Sequence, residues 1–289
     1  MRRFISLLAF AGALVFASPA AAQLAPPPKL IVTSIDHVPM VELYDGGGGL
    51  PYLGSSTAYN AGDWENALRA YATPKDAADP TSSVYMHQIA QVDAVADRQI
   101  KRTAHRAKLA RAKAARRAGH GHHGHHGHHG RRHHGHHGQH AKKLAIVFDI
   151  DETTLSNYSA IEADNFTFGT QSQAEATNEI GKAIQPSLDL YNDAKARGIT
   201  PFFITGRGEA SRAHTESNLR REGYSDWKQL YLKPAGSTLS TVAYKTGARE
   251  DIESQGYKIV ANVGDQYSDL AGGHAQVAYK LPNPFYFLP

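Results

Sequence analysis

Cysteine does not occur in the 289 residues of this chain. That absence excludes a disulfide scaffold, Cys-ligated zinc, a thiol nucleophile and lipid attachment through Cys. The apolar run near the start, Phe4–Ala17, has 14 residues, fewer than the ~20 that a membrane-spanning helix needs. The run Gly46-Gly47-Gly48-Gly49 lacks a following Gly-Lys-Ser/Thr, so it is not a phosphate-binding P-loop. Acidic residues are missing from 98–143, where 13 Lys and Arg stand without a single Asp or Glu.

What remains is a globular balance, 41% hydrophobic and 20% charged. At roughly 100–200 residues per domain, the length allows one or two domains with a sizeable core. Met1–Ala22 reads as an export signal: Arg2 and Arg3, then the apolar run, then Ala20-Ala21-Ala22 before Gln23. A periplasmic or secreted mature protein is expected, with no membrane anchor. Subtracting the two leader arginines and the 13 cations of 98–143 from the net charge of +4 leaves −11 on the rest. The body is acidic and carries one basic segment, so the overall charge is no argument for a nucleic-acid partner. Base stacking would also need interleaved aromatics, which that segment lacks.

Residues 23–55 are rich in Pro and Gly and read as an extended leader. A helical lead-in is expected over 56–97, with Trp64, Leu68 and Tyr71 on one stripe and a second helix starting at Asp79-Pro80-Thr81-Ser82. Residues 98–140 read as a basic and histidine-rich insertion, helical in propensity to Ala118 and low in complexity from Gly119. Twelve of the 17 histidines fall in 119–140. Among them, His122, His123, His125, His126, His128, His129, His133, His134, His136 and His137 form repeated His-His-Gly units suited to Zn²⁺, Ni²⁺ or Cu²⁺. The plainer reading is a solvated insertion whose charge rises below pH ~6.5.

From Leu144 onward strands and helices alternate: strands at Leu144–Phe148, Ile199–Ile204, Gln229–Leu232, Tyr257–Val263 and Gln276–Leu281, and helices at Pro186–Arg197, Glu209–Glu222 and Thr246–Gln255. That order predicts an α/β fold, a Rossmann-like parallel sheet with helices on both faces. Ligands in such sheets sit beyond the carboxyl ends of the strands. Asp149 and Asp151 follow the first of these strands two residues apart, hence on one side of an extended chain. Two such carboxylates repel unless a cation or proton lies between them, and Mg²⁺ suits oxygen ligands. Thr205 and Gly206 end the second strand at a helix start, a natural anion site. Asp265 and Asp269 follow the fourth, and either Lys245 or Lys233 offers the positive charge a phosphate would need.

Taken together, Phe148-Asp149-Ile150-Asp151-Glu152-Thr153, Ile204-Thr205-Gly206-Arg207, Tyr244-Lys245-Thr246 with Arg249, Gly264-Asp265-Gln266-Tyr267-Ser268-Asp269 and Leu281-Pro282-Asn283-Pro284 resemble the haloacid dehalogenase (HAD) superfamily. Within it they are similar to the subfamily IIIB acid phosphatase branch, which includes class B-type acid phosphatases and plant vegetative storage proteins. The resemblance implies a phosphatase domain over 141–289 with a small cap excursion. It also implies a small phosphomonoester as substrate, nucleotides among the candidates. Asp149 would be the nucleophile and Asp151 the general acid and base. Thr205, Gly206 and Lys245 would hold the phosphoryl group. Mg²⁺ would sit on Asp149, the Asp151 backbone carbonyl and Asp265, supported by Asp269. Tyr158, Phe166 and Phe168 either line the mouth of the site or pack the excursion onto the sheet. The competing expectation is a storage or metal-buffering protein on the same scaffold. A homo-oligomer is compatible with either.

Overall fold

The computed structural model describes residues 29–44, 61–119, 142–167 and 169–288. The expected export signal, Phe168 and the histidine-rich run 120–140 lie outside the described residues. In chain order the elements begin with β1 (Lys29–Ile35), β2 (Val38–Tyr44), α1 (Ala61–Ala72), α2 (Val84–Gly119), β3 (Lys143–Phe148) and β4 (Leu155–Ser156). Then come α3 (Tyr158–Ala163), α4 (Thr170–Asn178), β5 (Lys182–Ala183), α5 (Gln185–Ala196), β6 (Thr200–Gly208) and α6 (Arg212–Arg221). The chain continues through β7 (Leu230–Lys233), α7 (Thr241–Ser254), β8 (Tyr257–Gly264), α8 (Tyr267–Leu270) and β9 (Ala278–Lys280).

Seven strands form one sheet in the order β1-β2-β9-β8-β3-β6-β7. Every neighbouring pair is parallel except the β1–β2 hairpin. The predicted parallel α/β sheet is therefore present, and the period-2 alternation of β3 divides its two faces. Ile146 and Phe148 pack with Ile89, Leu190, Tyr191, Phe203 and Leu219 beneath α2, α5 and α6. Ala145 and Val147 pack with Phe202, Ile204, Ala248 and Ile252 beneath α7. Each fully buried side chain of this kind contributes about 1.5–3 kcal/mol of transfer free energy. Gly223, at φ +97°, closes α6 in a backbone conformation that a side chain would oppose, with Leu188 packed 3.3 Å from where a Cβ would stand.

Three boundaries differ from the sequence reading. The leader expected over 23–55 contains β1 and β2, which join the sheet through β9. Its two-residue turn, Asp36-His37, has φ of 46° and 65°, the doubly left-handed geometry that matches strand twist. Val38 and Met40 then reach a small core with Leu270 and Ala278. The second boundary is the start of α2. Asp79 instead makes a local turn, accepting from the Thr81 amide at 2.9 Å and its hydroxyl at 2.6 Å. Ser83 caps the helix, its hydroxyl taking the Met86 amide at 3.1 Å. The third is the division at 97/98, which α2 crosses without a break over 36 residues. Its buried stripe, Tyr85, Ile89, Val92, Ala96 and Ile100, continues past the division to the half-buried Ala104. On the other side of the helix the Lys and Arg side chains from Arg98 to Arg117 stand exposed. Among the described residues no helix is long and apolar enough to cross a membrane.

Candidate active site

The carboxyl ends of β3, β6 and β8 converge on a cleft of about 280 Å³ whose lining includes Asp149, Asp151, Gly206, Arg207, Lys245, Asp265 and Asp269. Asp149 is fixed at the end of β3 by its amide, which donates to Val263 O at 3.0 Å. The Thr154 hydroxyl donates to Asp149 O at 2.5 Å. The chain then turns tightly, with Thr154 N and Leu155 N both donating to Ile150 O at 2.8 and 2.9 Å. Glu152 occupies the left-handed region at φ 53°, a cost of about 1–2 kcal/mol. It is fully buried, and its carboxylate accepts from the Asn157 amide at 2.7 Å and the Tyr286 hydroxyl at 3.3 Å. The strained turn is thus over-determined by its surroundings. It carries Asp149 and Asp151 to the same cleft.

Lys245, 3% exposed on the first turns of α7, donates to Asp149 Oδ1 at 2.5 Å and to Asp269 Oδ1 at 2.6 Å. Lys233, the alternative at the end of β7, does not line the cleft. Burial raises Asp149 well above the ordinary carboxylate value; Lys245 opposes that, while Asp269, Asp265 and Asp151 add to it. Burial works against the charge on Lys245 too, but Asp149 and Asp269 hold it above its ordinary value. Burial, with Asp269 adding to it, pushes Asp265 up to about 6.

Asp149, Asp265 and Asp269 each offer an oxygen within 4.8 Å of the others. Three buried carboxylates around the Lys245 ammonium leave negative charge to be neutralised. All three donors are oxygens, with no imidazole among them, and that chemistry fits a hard divalent cation. The β8 backbone must pass close to reach this arrangement. A Cβ on Gly264 would stand 2.5 Å from Asp269 Cβ, so the position admits only glycine without displacing that acid.

Asp151 does not turn its carboxylate into this group. Arg207 grips it, with Nη2 at 2.6 Å and Nε at 3.0 Å from Oδ1, and Asn157 Nδ2 donates to the same oxygen at 2.8 Å. Burial alone would raise Asp151, but the Arg207 guanidinium and the Asn157 side chain bring it below the ordinary carboxylate value. Thr205 is wholly buried within β6, its hydroxyl accepting from the Arg207 amide at 3.1 Å, and it does not line the cleft. Gly206 does, with nothing within 4 Å of where a Cβ would stand. That space can admit a phosphoryl group beside backbone amides. The ten histidines of the tract lie outside the described residues.

Arg207 was readable only as part of a Thr-Gly-Arg string, since its partner lies 56 residues away. Arg249 was likewise readable only as part of a motif, and what it holds, the loop of Asp265 and Asp269, was not. Arg249, fully buried and pushed down to about 10 by burial, donates to Asp269 O at 2.7 Å, Gly273 O at 2.9 Å and Ala271 O. Part of the cleft lining is apolar, with Ile161, Phe166, Phe285 and Leu288. Phe166 stacks on Phe285 with centroids 6.3 Å apart and planes at 23°. Tyr158 lies 5.3 Å from the Phe285 ring and is not itself in the lining. Phe166 therefore serves both as wall and as packing, and Tyr158 as packing.

The sequence profile of the HAD superfamily, subfamily IIIB (Acid phosphatase), matches residues 54–289. The Stem 28 kDa glycoprotein of Glycine max is 39% identical over 154 residues, 50% of this chain and 61% of that protein. Acid phosphatase 1 of Solanum lycopersicum is 35% identical over 150 residues, 49% and 58% of the two chains. Vegetative storage protein 1 of Arabidopsis thaliana is 35% identical over 150 residues, 50% and 55% of the two. The match thus spans little more than half the length of these relatives. Among solved structures, the class C acid phosphatase from Bacillus anthracis shares the fold. Its TM-score is 0.51 at 19% identity, covering 77% of this chain and 86% of that one. With the profile spanning the cleft and all the strands that build it, this chain belongs to subfamily IIIB of the HAD superfamily, the acid phosphatase subfamily.

Proposed function

We propose that this protein is an exported, Mg²⁺-dependent phosphomonoesterase that works through an aspartyl-phosphate. The observation that carries the reading is Lys245 bridging Asp149 and Asp269 in a cleft that Gly206 and Arg207 also line. Membership of the acid phosphatase subfamily supports it, as does the name of the tomato relative. The leader Met1–Ala22 supports export.

Asp149, Asp265 and Asp269 would hold Mg²⁺ by their carboxylates and Asp151 by its backbone carbonyl. When bound, the ion supplies charge neutralisation at the phosphoryl oxygens. Asp149 attacks phosphorus through a carboxylate oxygen while the bond to the leaving oxygen breaks, and Asp151 gives that oxygen a proton. Water then attacks the phosphorus of the aspartyl-phosphate, Asp151 takes the proton back, and the Asp149–phosphorus bond breaks to release phosphate. Dividing the displacement in two lowers each barrier. Lys245 steadies the growing charge on the transferring group, with Gly206 leaving it room. Thr205 acts one step back by fixing the Arg207 amide. The substrate's phosphate and Asp151 compete for one guanidinium, so binding loosens Arg207 from Asp151 and favours the protonated acid. The apolar part of the lining, with Phe166, Phe285 and Ile161, accepts a flat leaving group, including a nucleoside.

Replacing Asp149 with Asn tests the assignment. The variant folds, measured by circular dichroism, yet loses hydrolysis of p-nitrophenyl phosphate by orders of magnitude. Near-parental turnover would refute the nucleophile. A second reading is ion buffering by the histidine tract, whose repeated His-His-Gly units suit Zn²⁺, Ni²⁺ or Cu²⁺. It adds a task and leaves the chemistry of the cleft in place.

A further inference from the structure

Asp265 is held by side chains from three separate segments. The Thr153 hydroxyl donates to its Oδ1 at 3.0 Å. Gln266 Nε2 and Asn283 Nδ2 both donate to its Oδ2, each at 2.7 Å. A carboxylate oxygen offers about two acceptor sites. Oδ2 is therefore filled, and the capacity left to Asp265 lies on Oδ1.

The orientation of Asn283 follows from its second contact. Its Oδ1 accepts from the Phe285 amide at 2.9 Å, which leaves Nδ2 to face Asp265. Pro282 and Pro284 restrict the backbone on either side, the latter biasing Asn283 itself toward extended conformations. The same segment continues as the wall of the cleft, with Phe285, Tyr286 and Leu288 in its lining. Gln266 ties the two together: it also donates to Tyr286 O at 3.4 Å, and its Oε1 accepts from the Leu288 amide at 3.1 Å.

We infer that 282–288 is a strap whose docking and the divalent ion are thermodynamically linked, with Asn283 as the positioning residue. This rests on the ion site of the proposed function. Asn283 turns Asp265 so that one oxygen remains for the ion, and the ion fixes the carboxylate against which Asn283 docks. Linkage requires that each strengthen the other to the same extent. The strap also forms the aromatic wall, so loading of the ion sets the order of the surface that meets the leaving group.

The test uses the full chain, with Mn²⁺ binding followed by calorimetry and deuterium exchange of 282–288 measured with and without Mg²⁺. Asn283→Ala should weaken Mn²⁺ by ~10–100-fold, the usual effect of removing a partner of a metal ligand. Added Mg²⁺ should slow exchange in the strap of the parent and fail to do so in the variant. Activity lost at low Mg²⁺ should return when Mg²⁺ is raised. Gln266→Ala, which keeps Asn283, should show the same trend and provides the second variant if the first does not fold. Asp265→Asn is the control. Unchanged Mn²⁺ affinity in Asn283→Ala and Gln266→Ala, with affinity abolished in Asp265→Asn, would overturn the strap and leave the ion site standing. Undiminished affinity in Asp265→Asn would instead overturn the ion site itself.

Discussion

Asp93 offers a test of the helical layer that is independent of the cleft. It lies on the α2 surface that faces α5, 3% exposed, with Oδ2 accepting from the Ser187 hydroxyl at 3.0 Å. Its other oxygen has no partner among the described residues. Burial pushes it from 3.8 up to about 7, with Asp189 adding to the rise and Ser187 opposing it. A folded-state value above the unfolded one means that the native protein binds the proton more tightly. Stability from this group is thus full below about pH 4 and lost as pH rises through 7. A shift of that size is worth about 4 kcal/mol as an upper estimate. Asn in its place keeps the shape and can still pair with Ser187, whose hydroxyl accepts as well as donates. Asp93→Asn should therefore match the parent near pH 4 in urea or thermal unfolding and exceed it by up to about 4 kcal/mol at pH 8.5. An equal difference at both pH values would show that charge burial at Asp93 is not the cause.

Other perturbations address the site. Gly264→Ala pushes Asp269 aside and should cost both Mn²⁺ affinity and turnover while β8 remains formed; calorimetry beside circular dichroism checks both. Arg207→Gln removes the opposition to burial at Asp151, so its pKa rises. The proton needed by the leaving group then persists to higher pH, and the alkaline limb of kcat/KM against pH should move upward as its maximum falls. An unmoved limb would exclude the Arg207 contact as what sets Asp151. Deleting 120–140 should leave p-nitrophenyl phosphate hydrolysis at saturating Mg²⁺ unchanged while removing Ni²⁺ binding. Loss of hydrolysis would show that the tract takes part in the chemistry.

The strands that build the sheet were legible because their apolar runs alternate with amphipathic helices. Asp149, Lys245, Asp265 and Asp269 were legible because each stands at a strand end or helix start. The hairpin was hidden by composition: proline and glycine around it suggested a leader, and its turn uses Asp36 and His37 in place of glycine. Its outer strand is also mostly exposed, with Val32 at 72%, so it lacks the strict alternation of a half-buried strand. Arg207 and Asn283 stand in the motifs that carry the resemblance, but what each holds was hidden for another reason. Each acts on an acid that is distant in sequence, and no local periodicity encodes such a pairing. The division at 97/98 misled because charge density rises at Arg98 while the buried stripe persists to Ile100.

Where the histidine-bearing segment joins the body has an evolutionary meaning. It connects the far end of α2 to the amino end of β3, whereas Asp149 follows the carboxyl end of that strand. Six extended residues, ~20 Å, separate the two. Loop closure grows only slowly in cost with added length. Repeats that accumulate or vanish at this port fall a strand's length from Asp149, making it a place where a new trait can be tried on an old fold.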